Sequence, residues 1–75
     1  MEIKILGGGC AKCQKLYDNT LEALELVGKT ANVQKVTDMS IIMKYHVLST
    51  PALVIDEKVV SSGQVLKSDT ISTLL

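Results

Sequence analysis

Apolar positions along the 75-residue chain fall into short runs divided by polar or glycine-rich punctuation. Ile3-Lys4-Ile5-Leu6 is β-prone and is stopped by Gly7-Gly8-Gly9, which predicts a strand running into a loop. From Cys10 onward, Cys13, Leu16, Thr20, Leu24 and Val27 recur at helical spacing. Tyr17 and Leu21 lie beside them, and Lys15, Asp18, Glu22 and Glu25 opposite. That periodicity predicts an amphipathic helix ending near Gly28. Val33-Gln34-Lys35-Val36 then reads as a second short strand. Asp38 reads as the N-cap of a helix carrying Met39, Ile41, Ile42, Met43 and Tyr45 and ending near His46.

Pro51 forbids helix and opens the run Ala52-Leu53-Val54-Ile55. A polar Asp56-Glu57-Lys58 turn and Val59-Val60 complete the pattern of a β-hairpin. After Gly63, Ser68 is placed to cap a last helix whose Ile71, Leu74 and Leu75 share a face. The predicted order is β-α-β-α-β-β-α. The opening strand-helix-strand implies a right-handed parallel crossover, and the hairpin adds antiparallel strands. The expected class is α/β, a mixed four-stranded sheet flanked by helices, in a single domain spanning 1–75.

Composition narrows this picture. Hydrophobic residues at 47% against 21% charged exclude a disordered chain, and with no Phe or Trp the core must be aliphatic. Eight lysines balance eight acidic residues, so the long-range positive field that nucleic-acid binding exploits is missing. The longest apolar runs fall far short of the roughly 20 residues needed to span a membrane. No signal-peptide pattern opens the chain, so a cytoplasmic, monomeric protein is expected.

The two cysteines are separated by two residues, a spacing that suits a redox pair or metal ligation better than a structural staple. At the first turn of a helix, Cys10 would face unpaired backbone N–H groups and the positive end of the dipole, both of which favour thiolate. Cys10 is therefore the expected nucleophile. Cys13, one turn on, is the expected resolving thiol, shielded from substrate yet able to reach back. The dipole alone, at about 0.3 to 1 kcal/mol, lowers a thiol pKa only slightly, which makes the neighbouring Lys12 a candidate modulator. No resident metal or cofactor is expected.

Gly9-Cys10-Ala11-Lys12-Cys13 after the first strand, together with Ser49-Thr50-Pro51-Ala52-Leu53-Val54-Ile55 opening the hairpin, resembles the thioredoxin and glutaredoxin superfamily. The likeness is greatest to its small, thioredoxin-like redox-active disulfide proteins. The resemblance covers the whole chain, and CxxC paired with a downstream Thr-Pro is far more specific than CxxC alone. It implies a cis peptide before Pro51, backbone groups of Thr50 that hold a substrate strand beside Cys10, and reduction of protein disulfides. The implied partners are disulfide-containing proteins and a reductase or thiol electron donor.

The chain also departs from the pattern. Gly9 stands where thioredoxins usually have Trp, and Ala11-Lys12 where they have Gly-Pro. The second strand segment, Val33-Gln34-Lys35-Val36, lacks the buried acid that thioredoxins place there for proton transfer. Ser62-Gly63 with Asp69 is only a partial echo of a glutathione site. Two rival readings stand beside the reductase: a soft-metal carrier using the Cys10 and Cys13 thiolates, and a redox-switched binding module without turnover. Metal carriers of this size resemble β-α-β-β-α-β domains, so element order separates the classes. His46 reads as a left-handed helix terminator rather than a base, Tyr17 as a packed ring, and Met39 and Met43 as packing residues.

Overall fold

The computed structural model describes residues 1–9 and 11–75. Expectations that rest on Cys10 lie outside the described residues. Strand β1 (Glu2–Leu6) leads to helix α1 (Ala11–Val27), strand β2 (Asn32–Val36) and helix α2 (Met39–Lys44). Hairpin strands β3 (Ala52–Ile55) and β4 (Lys58–Ser62) and helix α3 (Ser68–Ser72) follow. The sheet order is β2-β1-β3-β4, with β1 parallel to β2 and antiparallel to β3, and β3 antiparallel to β4. This is the α/β architecture and element order expected from the sequence.

Because strand side chains alternate, the two central strands feed two cores. Ile3 and Ile5 of β1 and Leu53 and Ile55 of β3 join Leu16, Ala23 and Leu24 of α1 and Ile71 of α3 on one face. Leu6, Ala52 and Val54 meet Ile42 of α2 on the other. All four residues of β3 are buried, which accounts for its unbroken apolar run. Each fully buried Leu or Ile contributes about 1.5 to 3 kcal/mol, so the aliphatic core substitutes for missing aromatic area by number. Thr20, wholly buried on α1, donates its hydroxyl to Leu16 O at 2.8 Å.

Several local readings need correction. Val27 is 38% exposed and Ala23 is buried in its stead, because Val27 is the last helical residue and lies beyond the packed stripe. Met39 and Met43 do not pack: they are 59% and 69% exposed, since a six-residue helix meets the sheet through Ile42 alone. Ser68 is the first residue of α3 rather than its cap. Lys67 holds the N-cap position without a side-chain bond, and Ser68 Oγ donates to Glu22 Oε1 at 3.0 Å. Leu74 is exposed at 43%, leaving Ile71 buried and Leu75 partly packed.

The turns follow their residue chemistry. His46 terminates α2 with φ +58°, the left-handed conformation read from the sequence. Asp56 and Glu57 both have positive φ and form the two-residue hairpin turn whose twist matches the flanking strands. Asp38 caps α2 by accepting from Ser40 N at 2.9 Å.

A polar cluster joins β1, the end of α2 and the hairpin turn. Lys4 Nζ lies 2.8 Å from Glu57 Oε1 and donates to Tyr45 Oη at 3.0 Å, while Tyr45 donates to Glu57 Oε2 at 2.9 Å. The hydrogen bond from Lys4, then that from Tyr45, holds the Glu57 carboxyl below its ordinary 4.5. Bonds from the Ser40 hydroxyl and N–H hold Asp38 below 3.8. Glu57 first and Tyr45 second push Lys4 above its ordinary 10.5. Depressed acids contribute stability that is complete above their unfolded values and disappears as pH falls through their folded ones. The raised Lys4 contributes below 10.5 and loses that contribution as pH climbs through its folded value. Thermal melts are therefore expected to weaken as pH drops below about 4.5. Glu57→Gln should make that acid slope shallower, and an unchanged slope would assign the acid sensitivity elsewhere.

Candidate functional site

The site forms where β1, α1 and the start of β3 converge. Beyond Leu6 the chain stays tied to the sheet through Gly7 N, which donates to Val36 O at 2.9 Å. It then turns through Gly9, whose φ of +83° suits a residue without a side chain. Helix α1 starts at Ala11 with no acidic residue in its first turn, so no carboxylate offsets the positive dipole end there. Lys12 is exposed on that turn. Cys13 faces inward and is 5% exposed.

Gly7 is buried against Cys13 and Pro51. A Cβ placed on Gly7 would overlap Cys13 Sγ and stand 3.8 Å from Pro51 Cα, so these three residues meet at one point. The sulfur occupies the space that any other residue at position 7 would fill. The Thr50–Pro51 peptide is cis, Pro51 is buried, and Thr50 is exposed beside it. Cys13 and Pro51, 38 positions apart in sequence, are thus neighbours, and Thr50 sits at the solvent edge.

The loop carrying Pro51 is held from the far side by Gly63. Its N–H donates to Pro51 O at 2.9 Å, its φ is +74°, and a Cβ there would come within 2.9 Å of Ser49 Cβ. In the sequence Gly63 reads as an interruption and as part of a partial echo of a glutathione site, and Gly7 as part of the glycine run that stops the first strand ahead of the cysteines. Neither glycine announces its partner locally, and the fold alone brings each close enough to another segment to exclude a side chain.

Beside Cys13 opens a cavity of about 60 Å³ lined by Ile5, Gly7, Gly9, Cys13, Gln14, Lys35 and Thr37. Lys35 reaches over from β2. Its ammonium donates to Gln14 Oε1 and lies 4.6 Å from the centroid of the Tyr17 ring, while Gln14 Nε2 donates to Asp18 Oδ1 at 2.9 Å. Tyr17 is therefore a half-buried platform for a cation rather than an acid or base. Among the described residues no three His, Cys, Asp or Glu side chains converge as a metal site, and His46 is exposed at the far end of α2.

Comparison with known proteins places this arrangement. A family model described as thioredoxin domain matches residues 1–75. A thioredoxin of Methanocaldococcus jannaschii is 38% identical over 63 residues, covering 84% of this chain and 72% of its own. A thioredoxin of Methanothermobacter thermautotrophicus is 33% identical over 75 residues, covering 100% of this chain and 97% of its own. The chain belongs to the thioredoxin family. It is a thiol–disulfide oxidoreductase, an enzyme that reduces protein disulfides, and its element order separates it from the β-α-β-β-α-β metal carriers.

Proposed function

We propose that Cys10 and Cys13 carry the disulfide exchange within a single domain spanning 1–75, with Cys10 as nucleophile and Cys13 as resolving thiol. The observation that carries this reading is the meeting of Cys13 Sγ, Gly7 and Pro51, which sets one cysteine of the pair against the Thr50–Pro51 loop. Cys10 thiolate attacks a substrate disulfide, forming a mixed disulfide and releasing the first substrate thiol. Cys13 thiolate then attacks the Cys10 sulfur, closing a Cys10–Cys13 bond and releasing the second. Two electrons pass to the substrate, and a reductase or small thiol returns them.

Thr50, exposed beside buried Pro51, offers backbone groups to an extended substrate segment. Lys12 adds a positive charge beside Cys10 on the first turn, worth about 1 kcal/mol at 4 Å in water. The partners are disulfide-bonded proteins. No helix among the described residues is long and apolar enough to cross a membrane. Action as a monomer in the cytoplasm fits the redox compartment in which such dithiols turn over.

Titration in defined thiol redox buffers, read as alkylated mass, tests the pair. One two-electron transition involving both cysteines is expected, in the range between about −270 mV for thioredoxin and −200 mV for glutaredoxins. Stoichiometric metal in the isolated protein that blocks alkylation, with no disulfide formed, would replace this reading with metal carriage.

A further inference from the structure

The exchange reaction makes no use of helix α2, whose surface carries two sulfur donors of another kind. Met39 and Met43 are 59% and 69% exposed, because the six-residue helix meets the sheet through Ile42 alone. Core filling, the ordinary task of methionine at helical spacing, is therefore not theirs. What an exposed methionine still offers is a thioether, a neutral and polarisable sulfur that ligates soft metal ions. Residues four apart on a helix are neighbours, with Cβ atoms about 5 to 6 Å apart, and three rotatable bonds in each side chain let both sulfurs turn toward one ion.

A third donor stands where the helix ends. His46 is exposed three residues past Met43, and its N–H donates to Met43 O at 3.1 Å, which ties the backbones of the two residues together. Its φ of +58° ends the helix at that point. Met39, Met43 and His46 thus follow one another along a single short element.

Charge decides which ion this set takes. Thioethers and a neutral imidazole bring no negative charge. Lys44, next to Met43, adds a positive one. The carboxylates at the two ends of the helix are already engaged: Asp38 by the N–H and hydroxyl of Ser40, and Glu57 by Lys4 and Tyr45. A hard divalent ion that wants anionic oxygen finds none offered and meets more repulsion from Lys44 than a monovalent ion does. Soft donors with no charge of their own suit Cu(I).

We propose that Met39, Met43 and His46 form a surface site for a monovalent soft metal ion of the Cu(I) class, built from residues other than the Cys10 and Cys13 pair. Binding is reversible coordination without change of oxidation state. The site does not depend on how the two thiols divide the exchange reaction. Thiolates take the same ions, so the test removes them from competition.

The probe is Ag(I), a redox-inert soft monovalent ion. It is added in chloride-free buffer to full-length Cys10→Ser/Cys13→Ser protein and, in parallel, to the parent with its thiols oxidised, and methionine methyl and histidine ring signals are followed by NMR. Met1, itself 43% exposed, reports unspecific thioether binding in the same spectrum. The signals of Met39, Met43 and His46 should shift together and saturate at one Ag(I) per chain while Met1 stays unmoved, and Zn(II) at the same concentration should move neither Met39 nor Met43. Met43→Leu keeps an apolar side chain of similar size at an exposed position, and His46→Asn keeps a residue that tolerates positive φ, so both should retain the parent fold. Each should weaken Ag(I) binding by about tenfold or more, a loss that even an outer-shell change brings to a metal site. Cu(I) held against a chromophoric competitor in the absence of oxygen should rank the proteins in the same order. Met1 shifting in step with Met39 and Met43, methyl shifts that leave His46 unmoved, an equal response to Zn(II), or unchanged affinity in either variant would each overturn the site.

Discussion

Cys13→Ser protein is expected to stall as a covalent adduct with its substrate, while Cys10→Ser forms no adduct and reduces nothing. In the proposed cycle the first step needs only Cys10, and the second needs a thiolate already held beside the new S–S bond. Well-oriented intramolecular groups act with effective concentrations of about 10⁵ M or more, which millimolar solution thiols cannot match. Losing Cys13 should therefore cut turnover by more than about a thousandfold while leaving the first attack intact. Losing Cys10 removes the nucleophile and should reduce turnover to background. Non-reducing mass measurement after mixing with a disulfide-bonded protein checks both: the Cys13→Ser sample gains the mass of one disulfide-bonded substrate molecule, and Cys10→Ser gains none. Full turnover by Cys13→Ser would mean that solution thiol performs the second step.

Much of this architecture was legible in the sequence because its signals were of the robust kind. Strong periodicity over α1, a proline opening an all-apolar run, and Asp38 before a short helix each correspond to one local energetic preference. Errors arose where the outcome depended on tertiary cover. Met39 and Met43 share a helix face in sequence, but nothing in a spacing says whether a sheet lies beneath it. Ser68 has the residue type of a cap, yet Glu22 on α1 accepts its hydroxyl and Lys67 takes the cap position. The candidate site divides along the same line. Cys13 and Pro51 were nameable from motifs. The tie of Gly63 to Pro51, the nest of Cys13 against Gly7, and the reach of Lys35 into the cavity are long-range contacts without a local signature. The absence of an acid from Val33-Gln34-Lys35-Val36 was legible in the sequence, but that β2 brings Lys35 to the cavity was not, because no pattern within residues 32–36 announces that direction.

Gly7→Ala is expected to damage both stability and exchange, whereas Gly8→Ala should leave both near the parent. The two glycines are adjacent and neither requires positive φ, so backbone conformation does not separate them. Space does. A Cβ at Gly8 meets nothing within 4 Å, but a Cβ at Gly7 coincides with Cys13 Sγ and also faces Cys13 Cβ at 3.4 Å. The molecule has two ways to relieve that overlap. If α1 shifts outward, packing of Leu16 and Leu24 against β1 loosens, and overpacking of this kind costs about 1 to 3 kcal/mol. For a domain of this size that lowers the melting temperature by about 4 to 8 °C per kcal/mol. If the Cys13 side chain rotates instead, stability is largely spared, but the sulfur leaves its place beside Pro51 and resolution slows. Thermal melts and the two-step exchange assay together distinguish these routes, and each predicts a defect in at least one. Gly7→Ala protein that matches the parent in both would show that the close approach of Gly7, Cys13 and Pro51 does not constrain the working site.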